Sequence, residues 1–382
     1  MKIINIFFSK IRFRLYKLFN RDKFFNFIRI DSAFIYDETL YINRIKENLI
    51  NTNKKISSKK PRVFIAVKNI NWEKTGLVDS WKNIAEVIHY DWGNEFDQYS
   101  SDWELASKDK FNKVLLENVI KHHNKKPIEI FFSYLSGNWV FRETIEAINN
   151  LGIITVNFGF DDSHSFWGRK IKSGWEGNAG IADAYNICIT SQYMNDVIKY
   201  DKTGARSIFL PPGGNQKFFG SSKPNIKRKI PVSFIGQKYG IRESVIEFLE
   251  SNGVYVYTAG LGWDKGSVSQ NEMMDIYHDS LLTLGFGFMG KAGNVRLKGR
   301  DFEVTMTGAA YITSFNQDLA KYFVDGKEII FYKDKNDLLD KIKFYLNNPE
   351  KAIEIGLNAR IKSLKEHTWE QRWLKVLDII RN

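Results

Sequence analysis

The feature that most constrains the fold of this chain is an alternation of short apolar runs with longer helical patterns. The first apolar run covers residues 62–67, and similar runs follow at about 127–134 and 153–158. Apolar residues recur at helical spacing over about 76–89, 103–122 and 139–151. Short runs without alternating polar residues are typical of strands buried on both faces of a parallel sheet. The order strand, helix, strand therefore predicts βαβ units.

The same alternation begins again after residue 230. A run at 232–236 is followed by predicted strands at about 254–258, 281–285 and 310–313 and by predicted helices at about 241–252, 271–278, 300–308, 335–347 and 350–364. Between the two sets, Leu210–Gly214 combines stiff prolines with permissive glycines, as a hinge requires. At 382 residues the chain is long enough for two domains. We predict two open α/β domains that face a central cleft, at 61–210 and 211–365, with ligands at the carboxyl ends of the strands.

Residues 1–60 are predicted to form a basic helical extension and a linker. Residues 1–24 carry seven Lys or Arg and one acidic residue, Asp22, in a chain whose net charge is +12. These cations interrupt the apolar residues too often for a membrane span, and the uninterrupted centre of a signal peptide is missing. An amphipathic helix on an anionic membrane fits this pattern. A basic helix packed on the body of the protein is the alternative.

The net charge of +12 favours an anionic partner such as nucleic acid, a phosphorylated substrate or a lipid surface. Nucleic acid is disfavoured because the cations cluster at the N-terminus and no standard recognition motif is present. The single cysteine, Cys188, excludes an internal disulfide, and no Cys/His cluster has the spacing of a zinc site. We therefore predict a cytoplasmic protein with no nucleic-acid partner and no zinc site of the Cys/His type.

A glycine-rich stretch, residues 284–294, holds four glycines within nine residues and leads into Arg296, Lys298 and Arg300. The backbone N–H groups of such a loop, together with nearby cations, can hold a pyrophosphate. The candidate contacts in and after this loop are Gly287, Gly290, Asn294 and Arg300. A merely flexible loop is the alternative. The stretch lacks the Lys-Ser ending of a P-loop, which disfavours ATP hydrolysis.

A second set of candidate phosphate contacts lies between a predicted strand and a predicted helix. Gly236, Lys238 and Arg242 are placed there, so backbone amides and cations can meet phosphate at the start of the helix. Surface cations without a ligand are the alternative interpretation.

Glu303 lies near the start of the helix predicted at 300–308 and falls outside its apolar face. A carboxylate in that position can accept two hydrogen bonds from the diol of a ribose. The alternative is an acidic residue that only stabilises the helix dipole.

Candidate catalytic residues follow the strand predicted at 153–158. Asp161, Asp162 and His164 lie in this segment, and a carboxylate or imidazole there can deprotonate an acceptor hydroxyl. Adjacent aspartates also suggest a metal ion, but the chain offers few other ligands. A turn or capping role is the alternative for one of the two aspartates.

The order of motifs in residues 62–375 resembles that of CgeB-like proteins, and positions 232–375 are similar to their group 1 glycosyltransferase domain. The matching pieces are Val232–Gly236 with Arg242, Gly260–Trp263, Glu272–Tyr277, Arg300–Glu303 with Gly308, and Phe323–Glu328. The N-terminal half matches through Asp161-Asp162, Ala182-Asp183 and Pro211–Gly214.

This resemblance implies a GT-B fold of two Rossmann-like domains, with a nucleotide-sugar donor on the second domain, an acceptor on the first, and neither a divalent metal nor another cofactor. Glu303 matches the ribose-binding glutamate of the Glu-x7-Glu element. The first glutamate of that element is replaced by Val295, so neither a sugar-side carboxylate nor the stereochemical outcome is predicted. The final helix, within 366–382, is expected to cross back to the first domain.

These expectations combine into a predicted glycosyltransferase. It would move a sugar from a nucleotide sugar to a hydroxyl of a cell-surface glycan or a lipid-linked precursor, at the cytoplasmic face of a membrane. The alternatives are a nucleotide-sugar epimerase on the same scaffold and a non-catalytic protein that has kept the fold.

Overall fold

The computed structural model describes residues 34–56, 58–69, 72–221, 227–289 and 294–381. The basic segment 1–24 and the glycine Gly290 therefore lie outside the described residues. The described chain separates into two compact units. The first unit takes the residues up to Lys68, then Ala85–Leu210, and the chain end from Asp378; the second takes Asn69–Ile84 and Pro211–Leu377.

The first unit is built on a sheet of parallel strands in the order β2-β1-β3-β4-β7-β8. The strands are β1 (Arg62–Ala66), β2 (Glu86–Tyr90), β3 (Ile130–Ser133), β4 (Ile154–Gly159), β7 (Ile187–Thr190) and β8 (Ser207–Phe209), and a small hairpin pairs β5 (Lys170–Ile171) with β6 (Gly174–Trp175). All residues of β3, β4, β7 and β8 are buried, which explains their unbroken apolar runs.

The helices of the first unit connect these strands. They are α1 (Glu38–Asn51), α2 (Lys108–Lys125), α3 (Arg142–Asn150), α4 (Asp162–Ser165) and α5 (Val197–Asp201). Asp37 caps α1, because its carboxylate accepts hydrogen bonds from the N–H groups of Thr39 and Leu40. Leu115 and Val119 of α2 lie in the same buried cluster as Phe131 of β3. The lone cysteine, Cys188, is buried in β7, as expected of a core thiol.

The second unit holds another parallel sheet, in the order β10-β9-β11-β14-β15. Its strands are β9 (Ile230–Ile235), β10 (Tyr257–Ala259), β11 (Ser280–Gly285), β14 (Ala310–Ser314) and β15 (Ile330–Tyr332), and the hairpin strands β12 (Phe288–Met289) and β13 (Asn294–Val295) follow β11. The chain runs from β9 to β10 on one side and returns to β11 on the other. The strand order therefore reverses between β9 and β11, and ligands bind at such a point in open parallel sheets.

The helices of the second unit match most of the predicted positions. They are α6 (Gln216–Phe219), α7 (Arg242–Ser251), α8 (Gln270–Asp279), α9 (Gly299–Thr307), α10 (Lys335–Asn347), α11 (Pro349–Glu366) and α12 (Trp369–Arg381). Ser269 and Glu272 form a capping box at the start of α8. Leu338 and Ile342 of α10 and Ile355 of α11 share a buried cluster with Leu282 and Leu284 of β11.

The helix predicted over residues 76–89 is wrong. One π turn covers Lys74–Val78 and one 3₁₀ turn covers Asp79–Trp81, and the rest of the range leads into β2. The apolar residues in this range serve two purposes: Leu77, Val78 and Trp81 are buried in the second unit, whereas residues 86–90 pair with β1. The apparent helical spacing of this stretch therefore arose from two neighbouring segments that pack in different ways.

Four tryptophans explain why residues 72–84 belong to the second unit. Trp81 stacks on Trp373 at 5.4 Å between ring centroids, Trp373 stacks on Trp369 at 5.5 Å, and Trp369 stacks on Trp72 at 5.9 Å. Gly76 makes room for this stack, since a Cβ atom there would lie 2.8 Å from Nε1 of Trp369. Buried aromatic pairs of this kind contribute about 0.5–1.5 kcal/mol each beyond their buried area.

Candidate functional site

The loops at the carboxyl ends of β9, β10 and β11 form the most distinctive group of charged side chains in the second unit. Backbone hydrogen bonds join the first two loops: Gly236 N–H donates to the carbonyl of Ala259 at 2.8 Å, and Lys238 N–H donates to that of Leu261 at 2.8 Å. The indole Nε1 of Trp263 donates to the carbonyl of Gly236 at 2.8 Å. The β9 loop is therefore held in one conformation at the reversal of strand order.

Arg300, in the first turn of α9, reaches this point of the sheet. Its Nη2 donates to the carbonyl of Ile235, the last residue of β9. Gly236 is required for this approach, because a Cβ atom on Gly236 would lie 2.6 Å from Nη2 of Arg300. Burial opposes the charge of Arg300, but a hydrogen bond to Tyr277 and the charge of Glu303 raise its pKa above the ordinary value. Its Nε is buried and has no hydrogen-bond partner among the described residues.

Arg242 brings a second guanidinium to the same place. Its Nη1 donates to the carbonyl of Gln237 at 2.6 Å, and its Nη2 donates to the hydroxyl of Tyr239 at 3.0 Å. The ring of Phe234 lies 5.4 Å from Cζ of Arg242 and 5.2 Å from Cζ of Arg300. Burial and the neighbouring Arg300 lower the pKa of Arg242 to about 10, which still leaves it charged at neutral pH. Two cations therefore converge on one aromatic ring, an arrangement that a bound anion would stabilise by offsetting their repulsion.

Glu303 lies one turn along α9 from Gly299 and is half-buried. A Cβ atom on Gly299 would lie 3.3 Å from its Oε1, so the carboxylate folds back over the start of the helix. No hydrogen bond or ion pair from the described residues reaches this carboxylate. Burial raises the pKa of Glu303 to about 7, although the charge of Arg300 acts in the opposite direction. A desolvated carboxylate of this kind can accept hydrogen bonds that the protein itself does not supply.

Asp301, rather than Glu303, stabilises the start of α9. One carboxylate oxygen of Asp301 accepts from the N–H of Lys298 at 2.7 Å, and the other accepts from the hydroxyl of Tyr311 at 2.7 Å. Burial raises the pKa of Asp301 to about 6. The capping role that the sequence left open for Glu303 is therefore occupied by Asp301, and Glu303 remains available to a ligand.

Lys238 lies beside this group but is already paired. Its Nζ is 2.7 Å from a carboxylate oxygen of Glu243 and 5.1 Å from the ring centre of Trp263. The Glu243 partner raises the pKa of Lys238. A phosphate contact by Lys238 stays a prediction, and it would compete with this ion pair.

The glycine-rich stretch after β11 forms a hairpin rather than a loop that leads directly into a helix. Gly287 accepts a backbone hydrogen bond from Arg296 at 2.9 Å, and its own N–H donates to Oγ of Ser314 at 3.2 Å. The backbone of Asn294 pairs with Met289 across the hairpin. Gly290 lies outside the described residues, so the proposed phosphate contacts of this stretch stay predictions.

The predicted catalytic residues lie in the first unit, directly after β4. Asp161 and His164 are exposed, whereas Asp162 is 2% exposed. The carboxylate of Asp162 accepts hydrogen bonds from Nδ2 of Asn178 at 2.7 Å and from the hydroxyl of Tyr200 at 2.8 Å. Burial and then the charge of Asp196 raise the pKa of Asp162 to about 6. Asp161 and His164 are open to an acceptor, and Asp162 is enclosed by its own neighbours.

Sequence reasoning gave no role to the aromatic residues that contact these cations. Phe234, Tyr277 and Trp263 lie in segments that resemble the family, but their contacts with Arg300 and Lys238 depend on the fold. The capping role of Asp301 carried no local signal, because the residue three positions before it is Lys298 rather than Ser, Thr, Asp or Asn.

Residues 242–378 match the sequence model of a family described as glycosyl transferase-like. Solved structures similar over most of the chain include a glycosyltransferase from Rickettsia africae, at 10% identity and a TM-score of 0.59, which covers 85% of this chain and 100% of that one. Sucrose-phosphate synthase from Thermosynechococcus elongatus is similar at 10% identity and a TM-score of 0.53, over 90% and 92% of the two chains. HepE from Anabaena, solved with UDP and glucose, matches at 9% identity and a TM-score of 0.53, over 83% and 99%.

The chain carries a glycosyltransferase-like domain on a GT-B fold. The expected GT-B fold and glycosyltransferase resemblance are thereby confirmed. The match is to a general glycosyltransferase model, so the closer likeness to CgeB-like proteins stays a prediction. No curated protein sequence matches the chain.

Within the described ranges, no three His, Cys, Asp or Glu side chains are grouped so that they could hold a metal ion. None of the helices that the structure describes has the length and apolar content of a membrane span.

Proposed function

We propose that this GT-B protein transfers a glycosyl unit from a nucleotide sugar to a hydroxyl group of a cell-surface glycan or a lipid-linked precursor. The observation that carries this proposal is the arrangement of Arg242, Arg300 and Glu303 where the strand order of the second sheet reverses. Two guanidiniums and one unpartnered carboxylate match the two parts of a nucleoside diphosphate: its anionic phosphates and its ribose diol.

Each residue has a distinct part in this proposal. The guanidiniums of Arg242 and Arg300 neutralise the diphosphate, which becomes the leaving group when its oxygen separates from the anomeric carbon of the sugar. The carboxylate of Glu303 accepts hydrogen bonds from the ribose. The acceptor oxygen forms the new bond to the anomeric carbon, and its proton passes to a base, for which Asp161 and His164 are the exposed candidates.

Charge neutralisation by arginines leads us to propose that turnover needs no divalent metal. Arg242 and Arg300 are positioned by hydrogen bonds to the backbone of the β9 loop, so their charges are in place before a ligand arrives. A magnesium-dependent reaction would instead place carboxylates such as Asp161 as metal ligands. Turnover in the presence of excess EDTA, compared with turnover after magnesium is added back, separates the two mechanisms.

The experiment that tests the proposed function is a screen of nucleoside diphosphate sugars by thermal stabilisation and by release of nucleoside diphosphate. UDP-glucose is a natural first donor, since HepE has been solved in complex with it. A ligand present at about 100 times its dissociation constant adds about 2.7 kcal/mol of stability. A panel in which no nucleotide or nucleotide sugar raises the melting temperature would contradict the proposal. Binding without release or transfer would instead favour a non-catalytic protein.

A further inference from the structure

A cavity lies in the first unit, at the opposite end of the parallel strands from Asp161. Its volume is about 500 Å³, and it opens between helix α1 and the turn that joins α5 to β8. One wall is formed by Arg44, Glu47, Asn48 and Asn51 of α1, and the other by the segment 201–207. Ser207 is the first residue of β8, so the cavity faces the amino ends of the strands. Asp161 follows the carboxyl end of β4 in the same parallel sheet.

The floor of this cavity is fixed by hydrogen bonds. The hydroxyl of Tyr41 donates to Oδ2 of Asp201 at 2.5 Å, and Nη1 of Arg44 lies 3.3 Å from Oδ1 of the same carboxylate. Gly204 adopts a φ of +76°, in the left-handed region, which allows the tight turn into β8. Tyr41 is 3% exposed, so the wall that it supports is anchored in the core. The cavity is therefore an open surface pocket whose floor is anchored in the core, while the side chains of Glu47, Asn51 and Asp201 on its walls are exposed.

Three polar side chains of the lining have unused hydrogen-bonding capacity. Among the described residues, no hydrogen bond or ion pair reaches the side chains of Glu47, Asn51 or Arg206. They offer a carboxylate, a carboxamide and a guanidinium, which are planar groups able to bond two neighbouring ligand atoms at once. The lining thus presents both donors and acceptors to whatever enters.

The charges of the described lining residues cancel. Arg44 and Arg206 contribute two positive charges, and Glu47 and Asp201 contribute two negative charges. A phosphate or another anion would gain from the arginines but would be repelled by the carboxylates. A ligand that donates and accepts hydrogen bonds without a net charge meets all of these groups favourably. Vicinal hydroxyl groups of a sugar ring have that property, and the cavity volume lies within the range of small-molecule sites.

We propose that this cavity binds a neutral saccharide segment, at a site separate from the one that holds Arg242, Arg300 and Glu303. The adjacent hydroxyls of a sugar ring would bridge Asn51 and Glu47 of one wall and Arg206 of the other, while the ion pair of Arg44 with Asp201 holds the two walls together. The site needs no catalysis, so the inference does not depend on the proposed transferase activity. It would hold a glycan that the protein recognises but does not modify at that position.

The test is binding of the full chain to an array of neutral oligosaccharides, followed by titration of the best binder. Asn51→Ala and Arg206→Ala each remove one unused group from the lining, and each is expected to weaken binding by about ten-fold or more. Asn43→Ala is the matched control, because Asn43 is an exposed amide on the same helix that does not line the cavity. Nucleotide binding by all three variants should equal that of the parent, which also shows that they are folded.

Three results would overturn this inference. One is an array on which no neutral glycan binds. Another is a bound glycan whose affinity is the same in the parent, Asn51→Ala and Arg206→Ala. Inorganic phosphate and vesicles of phosphatidylglycerol serve as anionic probes for the third: binding of either that is lost in Arg206→Ala would make the cavity an anion site instead. A parent protein that binds a neutral glycan but no nucleotide would count against the proposed function alone.

Discussion

Two carboxylates, one in each unit, have similarly raised pKa values and different surroundings. Desolvation raises the pKa of Asp162, which is buried, to about 6 and that of Glu303, which is half-buried, to about 7. Asp162 accepts hydrogen bonds from Asn178 and Tyr200, whereas no hydrogen bond or ion pair from the described residues reaches Glu303. A raised pKa therefore does not by itself identify a functional acid. The comparison makes Glu303, rather than Asp162, the carboxylate whose hydrogen-bonding capacity is left for a ligand.

The backbone of Asp162 is also held by buried neighbours. Nζ of Lys199 donates to the backbone carbonyl of Asp162 at 2.6 Å and lies 2.8 Å from Oδ1 of Asp196. Oγ of Ser163 donates to Asp196 at 2.7 Å. The short helix α4 is thereby tied to α5, and Asp162 lies at the centre of this buried network. Replacing Asp162 would disturb several hydrogen bonds at once.

The largest expected effect is that of Asp162→Ala on stability. The substitution leaves the hydroxyl of Tyr200 buried without its acceptor, at about 1–3 kcal/mol for the unsatisfied group. It also removes the 2.7 Å hydrogen bond donated by Nδ2 of Asn178, which keeps only a longer one, of 3.3 Å, to the hydroxyl of Tyr200. We expect the melting temperature to fall by several degrees, while the nucleotide affinity of the folded fraction stays unchanged. Asp161→Ala is the control, and as an exposed position it should change stability by less than about 0.5 kcal/mol. An unchanged melting temperature together with lost turnover would instead make Asp162 a catalytic residue.

The second largest expected effect is that of Glu303→Ala, which should weaken nucleotide binding without a loss of stability. Glu303→Ala should weaken the binding of a nucleotide that the parent binds by about 1.5–3 kcal/mol, the contribution of a charge-assisted hydrogen bond. The fold should be intact, since no described residue depends on this carboxylate for a hydrogen bond. Isothermal titration calorimetry with the nucleoside diphosphate measures the difference. Glu354→Ala, at an exposed position on α11, is the matched control. Equal affinity in both variants would remove Glu303 from the site.

A smaller effect is the pH dependence that follows from the raised pKa of Glu303. With a pKa of about 7, the carboxylate of the empty protein is about nine-tenths protonated at pH 6 and about nine-tenths ionised at pH 8. Hydrogen bonds donated by a ribose favour the ionised form, so affinity should rise by about ten-fold between these pH values and binding should release a proton below pH 7. Glu303→Gln removes this difference, and the titrating phosphates of the ligand affect both proteins equally. A parent and variant with parallel pH profiles would contradict the assignment.

The same shift has a consequence for stability, with a defined sign. The folded-state pKa of Glu303 lies above its ordinary value of 4.5, so folding favours the protonated acid. Its contribution to stability is fully present below about pH 4.5 and is lost as the pH rises through 7. Glu303→Gln should therefore melt at a higher temperature than the parent at pH 8, and this difference should shrink towards pH 5. Thermal melts of the two empty proteins at both pH values check the sign.

The sequence predicted the parallel sheets because their strands are buried on both faces and their helices are well delimited. The helix predicted at 335–347 has those bounds in the structure, where Asp334 caps it and Asn348-Pro349 ends it. The strand predicted at 254–258 is displaced to Tyr257–Ala259. Val254 and Val256 are buried, so they satisfied an apolar pattern without entering the sheet. A hydrophobic sequence pattern predicts that residues are buried, but it does not predict whether they pair with a neighbouring strand.

The sequence predicted which residues belong to the candidate site, but it did not predict how these residues contact one another. Arg242, Arg300 and Glu303 were selected because strand ends and helix starts attract anions and polar ligands. That Arg242 and Arg300 share the ring of Phe234 depends on three elements meeting in space, which no local spacing reports. The difference between Asp162 and Glu303 likewise depends on distant partners such as Tyr200. Local patterns select residue types, and tertiary contacts decide which of them remain available.

The smallest expected effect on nucleotide binding is that of Lys238→Ala. Lys238 is a cation that already has a partner, as Asp162 is a carboxylate that already has partners. Its Nζ is already 2.7 Å from Glu243, and both side chains are partly exposed, so the pair is screened by water and salt. A phosphate that drew Lys238 away would gain one ionic contact and lose another. Lys238→Ala should therefore weaken nucleoside diphosphate binding only slightly, by less than about five-fold. Glu243→Ala frees the lysine and should strengthen binding slightly, most clearly at low salt. Calorimetric titrations of both variants at low and high salt provide the measurement. A loss at Lys238→Ala as large as that at Glu303→Ala would show that the lysine leaves Glu243 for the ligand, and that partners seen in the empty protein do not predict which groups are available.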